Sequence, residues 1–330
     1  MTRLRVFLSH GEETFPGYFG DRALSALQQH ADVVRNTTGR DLRDEELAEA
    51  ARGCHAIIAY RGSPGTAATF ANAPDLIAFH RCAVDISTVD VAAASSHGIL
   101  VTRATPGFID SVAELGIAMI VDLARGITRS AEAYHRGDIP PPRTGMQLSA
   151  SSLGIIGYGR IARRLAHIAR ACGMTVRAYD PYTPVEDEGV TAAGFREALS
   201  ADFVVCLAIS SPETANLMDA AAFSAMRKGA FFLNLSRGEL VDEAALEAAL
   251  DSGHLAGAAM DVGRAPDQMP TPRLASRPDV IATPHLAGLT PQAAEHQAMD
   301  TVAQVADLAA GRVPEHAVNL EQAHRLSRLR

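Results

Sequence analysis

The segment LGIIGYGRIARRLA, at residues 153–166, constrains the fold of this chain more than any other feature. A buried-strand pattern runs directly into a glycine turn and then into a helical pattern. Gly157, Gly159 and Ala162 occupy the small-residue positions of G-x-G-x-x-G/A. Such residues allow a tight turn, a close approach of the backbone to a pyrophosphate, and packing of the helix on the strand. The segment therefore predicts a dinucleotide phosphate site.

Two further features of this region support that prediction. Arg160 and Ile161 would present free amides at the helix N-terminus, where the aligned peptide dipoles favour an anion. The next strand, TVRAYD, ends in Asp180, at the spacing of about 20 residues where this motif places an acid. A carboxylate there accepts hydrogen bonds from the ribose hydroxyls of adenosine and repels a 2′-phosphate, so NAD is predicted rather than NADP. The alternative for the glycine motif and Asp180 together is a tight strand-to-helix turn without a ligand.

Composition narrows the class of protein. With 330 residues and 47% hydrophobic content, the chain can bury a large core and is expected to form more than one domain. Its formal net charge of −8, without long runs of like charge, argues against a nucleic-acid surface or a membrane anchor. The cysteines stand far apart without a C-x-x-C pair, so neither a metal site nor a disulfide framework is predicted. We expect a cytoplasmic enzyme.

Alternating strand-like and helical patterns predict the fold class. The first hundred residues read as a parallel α/β unit, and the alternation restarts at residue 153 with six strand-like runs. We expect an α/β chain of two doubly wound, Rossmann-like domains, the first of them discontinuous. Residues 1–104 and 291–330 would form the substrate domain. Residues 105–290 would form the NAD-binding domain, with SVAELGIAMIVDLARGITRSAEAYHRG as a long helical stretch between the two.

Polar residues just after three later strands are candidates for chemistry, because open α/β sheets bind ligands at the carboxyl ends of their strands. Arg237 follows AFFLNLS and can grip a carboxylate with two hydrogen bonds, or serve only in a surface ion pair. Asp261 follows a strand of small residues and can accept from an amide ligand or cap a turn. His285 follows VIATP, and an imidazole can exchange protons near neutral pH.

The motifs GIIGYGRIA, YDPY, SSPETANLM, NLSRGELVDEAAL, AMDV and TPHLAGLT, in this order, resemble those of the D-isomer-specific 2-hydroxyacid dehydrogenases over residues 75–290. The resemblance implies that Arg237 binds the carboxylate and carbonyl of the substrate and that His285 is the general acid and base. It also implies cofactor contacts near the nicotinamide for Ser236, Asp261 and Gly288, and a homodimer.

One departure from the family concerns the partner of the histidine. The family usually has a glutamate shortly after the aspartate of its DV pair, and that glutamate bonds the catalytic histidine. Here Pro266 stands at the matching position. The neighbouring Asp267 would replace the glutamate as a catalytic partner of His285, or Gln268 would hold the ring without charge. The alternative is a purely structural role, in which Asp267 only caps a surface turn.

A second departure lies in the loop after the strand LIAFH. Family members usually have a glycine-rich stretch there, whose amides take the substrate carboxylate, and this chain has RCAVDISTVD. We expect the amides of Ala83 and Val84 to bind the substrate carboxylate. A carboxylate beside an anion costs ~1 kcal/mol or more at close range, so either Asp85 points away or the substrate differs from a plain 2-oxo acid. Arg61 would supply a second positive contact, or lie exposed without a ligand.

The predicted function is hydride transfer between NAD and carbon 2 of a small 2-hydroxy or 2-oxo acid. Two alternatives stay open at this point. One is a dehydrogenase of another small anion on the same scaffold, as in formate and phosphite dehydrogenases. The other is a catalytically weak protein that binds NAD(H) as a sensor, which the missing glutamate favours and the retained Arg237 and His285 oppose.

Overall fold

The computed structural model describes residues 3–329, which form two compact units. One unit comprises the residues up to Gly107 together with those from Thr290 onward, and the other comprises Phe108–Leu289. Within residues 3–329, no helix is long and apolar enough to cross a membrane.

Strands and helices alternate along most of the chain. The strands are β1 Leu4–Leu8, β2 Ala31–Arg35, β3 Ala56–Ala59, β4 Ala78–Arg81, β5 Leu100–Arg103, β6 Ser152–Ile156, β7 Thr175–Tyr179, β8 Val190–Ala192, β9 Phe203–Cys206, β10 Ala230–Asn234, β11 Leu255–Met260 and β12 Val280–Ala282. The helices are α1 Phe15–Tyr18, α2 Gly20–His30, α3 Asp44–Ala50, α4 Ala67–Ala71, α5 Val91–Ser96, α6 Ile109–Arg125, α7 Ile127–His135, α8 Arg160–Ala171, α9 Phe195–Leu199, α10 Ala220–Ala225, α11 Glu243–Asp251, α12 Pro272–Ala275 and α13 Pro291–Ala309.

The first unit is built on a five-stranded, all-parallel sheet in the order β2-β1-β3-β4-β5. Helix α13 returns to this unit, because Val302, Val305 and Leu308 share a buried cluster with Leu4 and Val6 of β1. The last part of the chain therefore completes the core of the first unit, and the predicted discontinuity is confirmed.

The second unit contains a seven-stranded, all-parallel sheet in the order β12-β11-β10-β9-β6-β7-β8. Alternate residues of β6 enter different buried clusters, with Leu153 and Ile155 in one and Ile156 in the other. Helices therefore cover both faces, as the predicted doubly wound class requires. The expected number of six strands was wrong, because the short strand β8 pairs with β7 at the sheet edge. Three residues carry too little pattern to be recognised as a strand.

The long helical stretch ahead of this sheet is two helices and not one. Gly126 separates α6 from α7 with a φ of +67°, and its amide donates to the carbonyl of Asp122. This left-handed conformation ends a helix at low cost only when the residue lacks a Cβ atom. The sequence pattern continues through the glycine, so periodicity did not reveal the break.

Strand β6 approaches helix α9 so closely that only glycine fits in its middle. A Cβ atom added to Gly154 would lie 1.9 Å from the carbonyl oxygen of Ala198, which is backbone and cannot rotate away. The contact fixes the strand that leads into the glycine turn. Gly194, before α9, is a matched glycine with open space around it.

We expect Gly154→Ala to lower the free energy of unfolding by about 2 kcal/mol or more, because an extra methyl group in a packed core forces the backbone apart. Gly194→Ala should cost less than about 1 kcal/mol, the scale of a changed helix cap. Urea denaturation followed by circular dichroism measures both. If both variants lost the same free energy of unfolding, the close contact between Gly154 and Ala198 would not be what excludes a side chain at residue 154.

Candidate active site

The glycine turn after β6 has the geometry that the motif requires. Gly157 has a φ of +90°, and a Cβ atom there would lie 2.5 Å from the Cα atom of Ala208. Gly159 is the residue before α8, and a Cβ atom there would meet nothing within 4 Å. The first glycine therefore permits the turn, and the second leaves its backbone open to a ligand such as a pyrophosphate.

Helix α8 begins directly at this turn. Arg160 and Ile161 are its first residues, with Arg160 exposed and Ile161 half-buried. The first amides of a helix have no partner within the helix, and they carry its positive partial charge. Ala162 is fully buried and packs in the cluster beneath the turn. Ala162 therefore packs as predicted, and cofactor contacts of Arg160 and Ile161 stay a prediction.

The carboxylate of Asp180, after β7, is held by three backbone amides. Oδ2 accepts from Tyr158 at 2.7 Å, and Oδ1 accepts from Tyr182 and Thr183 at 2.8 Å each. Burial raises the pKa of Asp180, but these hydrogen bonds outweigh it and hold the pKa below its usual value. The group is therefore ionised at neutral pH, and its stabilising bonds weaken only as the pH falls through that lowered pKa. The bond to Tyr158 also ties the acid to the glycine turn, which the sequence did not reveal.

Arg237 follows β10 and is exposed. The turn that carries it is held by the side chain of Asn234, which donates to the Arg237 carbonyl at 2.9 Å and accepts from the Ser236 amide at 3.2 Å. A Cβ atom on Gly238 would lie 2.2 Å from the backbone of Gly263, so the loops after β10 and β11 are in direct contact. Among the described residues, no carboxylate forms an ion pair with the Arg237 guanidinium, which leaves it able to bind an anion.

Two other predicted cofactor residues lie at the same edge of the sheet. The hydroxyl of Ser236 donates to the carbonyl of Ala208 at 2.6 Å, so it links the loops after β10 and β9. Gly288 is half-buried, and a Cβ atom on it would lie 3.3 Å from Phe108. Both residues shape the loops around the edge, and their contacts with a cofactor stay a prediction.

Asp261 organises the loop that carries His285. Its Oδ1 accepts from the Thr283 hydroxyl at 2.6 Å and the Leu286 amide at 2.9 Å, and its Oδ2 accepts from the Ala287 amide at 3.0 Å. The His285 amide donates to the Asp261 carbonyl at 2.9 Å. Because Asp261 is only 1% exposed, its carboxylate serves the turn. Of the two roles that the sequence left open, the structure supports the cap.

His285 has a φ of +52°, and its Nδ1 lies 2.8 Å from the main-chain carbonyl oxygen of Asp267. A carbonyl oxygen can only accept, so Nδ1 carries a proton and Nε2 is the nitrogen that can exchange one. The predicted pairing of the Asp267 carboxylate with the ring is therefore corrected. The physical reason is the backbone of Asp267, whose φ of +57° turns the carbonyl toward the ring.

The second proposed substitute, Gln268, also behaves differently from the prediction. Its Nε2 donates to the Oε1 of Glu239 at 2.9 Å, and not to His285. Glu239 follows Arg237 after one glycine. Sequence reasoning missed Glu239, because nothing in its position indicates a contact with a loop so far away in the chain.

The remaining candidates belong to the first unit. Arg61 is exposed after β3, and Ala83 and Val84 are half-buried after β4. Within the described part of the chain, no carbonyl accepts from the amides of Ala83 or Val84, so both stay available to a ligand. The Asp85 carboxylate accepts from the amide and hydroxyl of Ser87 at 2.9 and 2.8 Å, and its direction relative to a bound anion stays a prediction.

Among residues 3–329, no group of three His, Cys, Asp or Glu side chains could hold a metal ion. The second unit instead offers the parts that NAD requires. An open glycine backbone and the start of α8 suit a pyrophosphate, and an ionised acid at the end of β7 suits a ribose.

Comparison with known proteins supports this assignment. Residues 117–287 match the family model described as D-isomer specific 2-hydroxyacid dehydrogenase, NAD binding domain. A D-3-phosphoglycerate dehydrogenase of Arabidopsis thaliana is 32% identical over 91% of this chain and 49% of its own length. The chain thus spans about half the length of several curated relatives that it matches.

Other relatives match over nearly their whole length. The (S)-sulfolactate dehydrogenase of Chromohalobacter salexigens is 33% identical over 87% of this chain and 95% of its own. A solved structure from a Polaromonas species, assigned to the same family, superposes with a TM-score of 0.84 at 25% identity, covering 96% of this chain and 99% of the other. The predicted family and the predicted cofactor, NAD, are confirmed. This chain belongs to the D-isomer-specific 2-hydroxyacid dehydrogenase family.

Proposed function

We propose that this protein is an oxidoreductase that interconverts a small 2-hydroxy acid and its 2-oxo acid with NAD. One observation supports the proposal above all others. Arg237 and His285 follow β10 and β12 of the same parallel sheet whose β6 and β7 end in the glycine turn and Asp180. An anion-binding group and a proton-exchanging group thus share one sheet edge with the dinucleotide site.

The cofactor supplies the hydride chemistry, with the hydride moving between carbon 4 of nicotinamide and carbon 2 of the acid. Arg237 binds the carboxylate and polarises the carbonyl through its guanidinium. In reduction, the Nε2 of His285 gives a proton to the oxygen on carbon 2, and in oxidation it accepts that proton. The bond from Nδ1 to the Asp267 carbonyl keeps Nε2 as the exchanging nitrogen in both directions.

The substrate-binding groups of the first unit are part of the proposal. We assign Arg61 and the amides of Ala83 and Val84 to binding of the acid. A panel of 2-oxo acids, with glyoxylate, hydroxypyruvate, pyruvate and phenylpyruvate, followed by NADH absorbance, tests the activity directly. Loss of absorbance with at least one acid is expected, and no turnover with any small 2-oxo acid would contradict the proposal.

We also propose a homodimer located in the cytoplasm. Ile127 and Tyr134 of α7 are 54% and 61% exposed, and Ile139 is 87% exposed. Apolar side chains so close together in the chain are typical of a surface that another protein covers. Sedimentation equilibrium distinguishes a dimer from a monomer, and a monomer at every concentration would contradict this part.

For the cofactor, we expect the native protein to bind NADH more tightly than NADPH, because the ionised Asp180 repels a 2′-phosphate. Asp180→Asn should reduce the ratio of the NADPH and NADH dissociation constants roughly tenfold, since a like-charge contact costs about 1 kcal/mol or more. The side-chain oxygen that remains in asparagine still accepts from the backbone. Asp180→Ala should also reduce this ratio, and it should weaken the binding of NADH itself. Fluorescence titration measures these constants, and NADPH binding as tight as NADH binding by the native protein would contradict the assignment.

For the catalytic pair, we expect Arg237→Ala to raise KM for the acid and His285→Asn to lower kcat by about a hundredfold or more, the usual worth of a general acid. The asparagine amide can donate a hydrogen bond but cannot give up its proton. NADH binding should change little in either variant. Arg196→Ala removes an exposed arginine of α9 and should be silent. Native kcat in His285→Asn would remove His285 from the mechanism.

For Asp267, we expect Asp267→Asn to leave unchanged the pH at which reductive kcat/KM declines. The carboxylate is not bonded to the ring, and asparagine tolerates the same left-handed backbone. The pH dependence of kcat/KM for the native protein and the variant measures this. A shift of the decline to lower pH in the variant would show that the carboxylate moves onto the ring during the reaction.

A further inference from the structure

The ring of His285 depends on a carbonyl that no regular helix or strand holds in place. Asp267 and Gln268 have φ values of +57° and +60° in succession. Residues other than glycine populate this region rarely, at a cost of roughly 1 kcal/mol or more each. Such a turn persists only where contacts from the surroundings hold it.

Backbone bonds close the loop on itself. The amide of Gly263 donates to the carbonyl of Gln268 at 2.8 Å, and the amide of Ala265 donates to that of Met269 at 3.0 Å. These bonds join one side of the loop to the other. They do not fix the turn against the loop that carries Arg237.

Side-chain hydrogen bonds connect the two loops. The Nε2 of Gln268 donates to the Oε1 of Glu239 at 2.9 Å, and Glu239 lies in the short helical turn Gly238–Leu240 directly after Arg237. A second connection lies nearby, where the Arg264 guanidinium donates to the carbonyls of Glu239 and Val241 at 3.1 and 3.0 Å. The turn that contacts His285 is thus attached to the turn that follows Arg237.

The charge of Glu239 strengthens this connection. The hydrogen bond from Gln268 lowers the pKa of Glu239 below its usual value. The carboxylate is therefore ionised at neutral pH, and the bond weakens only as the pH falls through the lowered pKa. A hydrogen bond to an ionised acceptor is roughly twice as strong as a neutral one.

We propose that Gln268 and Glu239 are positioning residues for the dehydrogenation, which hold the Asp267 carbonyl on the Nδ1 of His285 and so fix the direction of Nε2. This inference rests on the function proposed above. Within the described residues, neither side chain of the pair forms a hydrogen bond to the ring.

Kinetics of variants that remove either side chain test the proposal. Gln268→Ala and Glu239→Ala should each lower kcat about tenfold to a hundredfold, the scale expected when a reacting group is displaced by about 1 Å. The double variant should be no slower than either single one, because both remove the same bond. Glu239→Gln keeps an acceptor oxygen for Gln268 and should retain most of kcat. KM for NADH should change little in any of them.

The matched control is Gln147→Ala. Gln147 also donates one side-chain hydrogen bond, at 2.8 Å to the hydroxyl of Ser149, on the surface of the same unit. Its removal should leave kcat as in the native protein. If Gln268→Ala does not fold, Glu239→Ala removes the same bond from an exposed residue and decides the question.

A readout without turnover separates this proposal from the proposed function. In nitrogen-15 NMR spectra, the protonated Nδ1 of His285 should give a signal that is absent from His285→Asn and that broadens or exchanges faster in Gln268→Ala. Loss of the signal without turnover on any acid would contradict the function and support the positioning. Native kcat together with an unchanged Nδ1 signal in Gln268→Ala would overturn the proposed positioning role. A kcat in the double variant that falls by the product of the two single effects would also overturn it.

Discussion

Parallel pairing of the strands in the seven-stranded sheet is the constraint on which the candidate site depends. In a parallel sheet all the carboxyl ends lie at one edge, so the residue after each strand faces the same region. Strands β6, β7, β10, β11 and β12 end in the glycine turn, Asp180, Arg237, Asp261 and His285 in turn. The topology of the sheet thus collects groups that are far apart in the chain.

Short hydrogen bonds then turn this shared edge into defined geometry. Asp180 and Asp261 have the same structural role. Each carboxylate accepts three hydrogen bonds and stabilises the loop around it. The difference lies in exposure. Asp180 is half-buried and can also meet a ribose, whereas Asp261 is almost fully buried and acts on His285 through the backbone.

Much of this arrangement could be predicted from the sequence. Gly157, Gly159 and Asp180 combine residue type with spacing, and only a few backbone geometries satisfy both. Arg237 and His285 are candidates because they follow apolar strands, and the resemblance to the dehydrogenase family is what assigns their roles. The break at Gly126 and the short strand β8 were not found, since neither interrupts or extends a hydrophobic pattern enough to be seen.

The partner of His285 could not be predicted for a different reason. The contact comes from the main chain of Asp267, so the residue type at that position says little about it. It depends on a left-handed turn without glycine, and Gln268 of that turn bonds to Glu239 in a distant part of the sequence. Hydrophobic pattern and motif spacing predict where side chains of helices and strands lie. This contact is made by a main-chain carbonyl outside those elements, so neither signal predicts it.

Direct hydride transfer between carbon 4 of nicotinamide and carbon 2 of a small acid is the step on which the proposed function depends. It is tested by reducing a 2-oxo acid that the protein accepts with NADH carrying deuterium at carbon 4 on the transferred side, in ordinary water. Mass spectrometry and NMR of the product should show one deuterium on carbon 2 for each turnover, with the hydroxyl proton drawn from water. Product without deuterium on carbon 2 would contradict direct hydride transfer from the nicotinamide to that carbon.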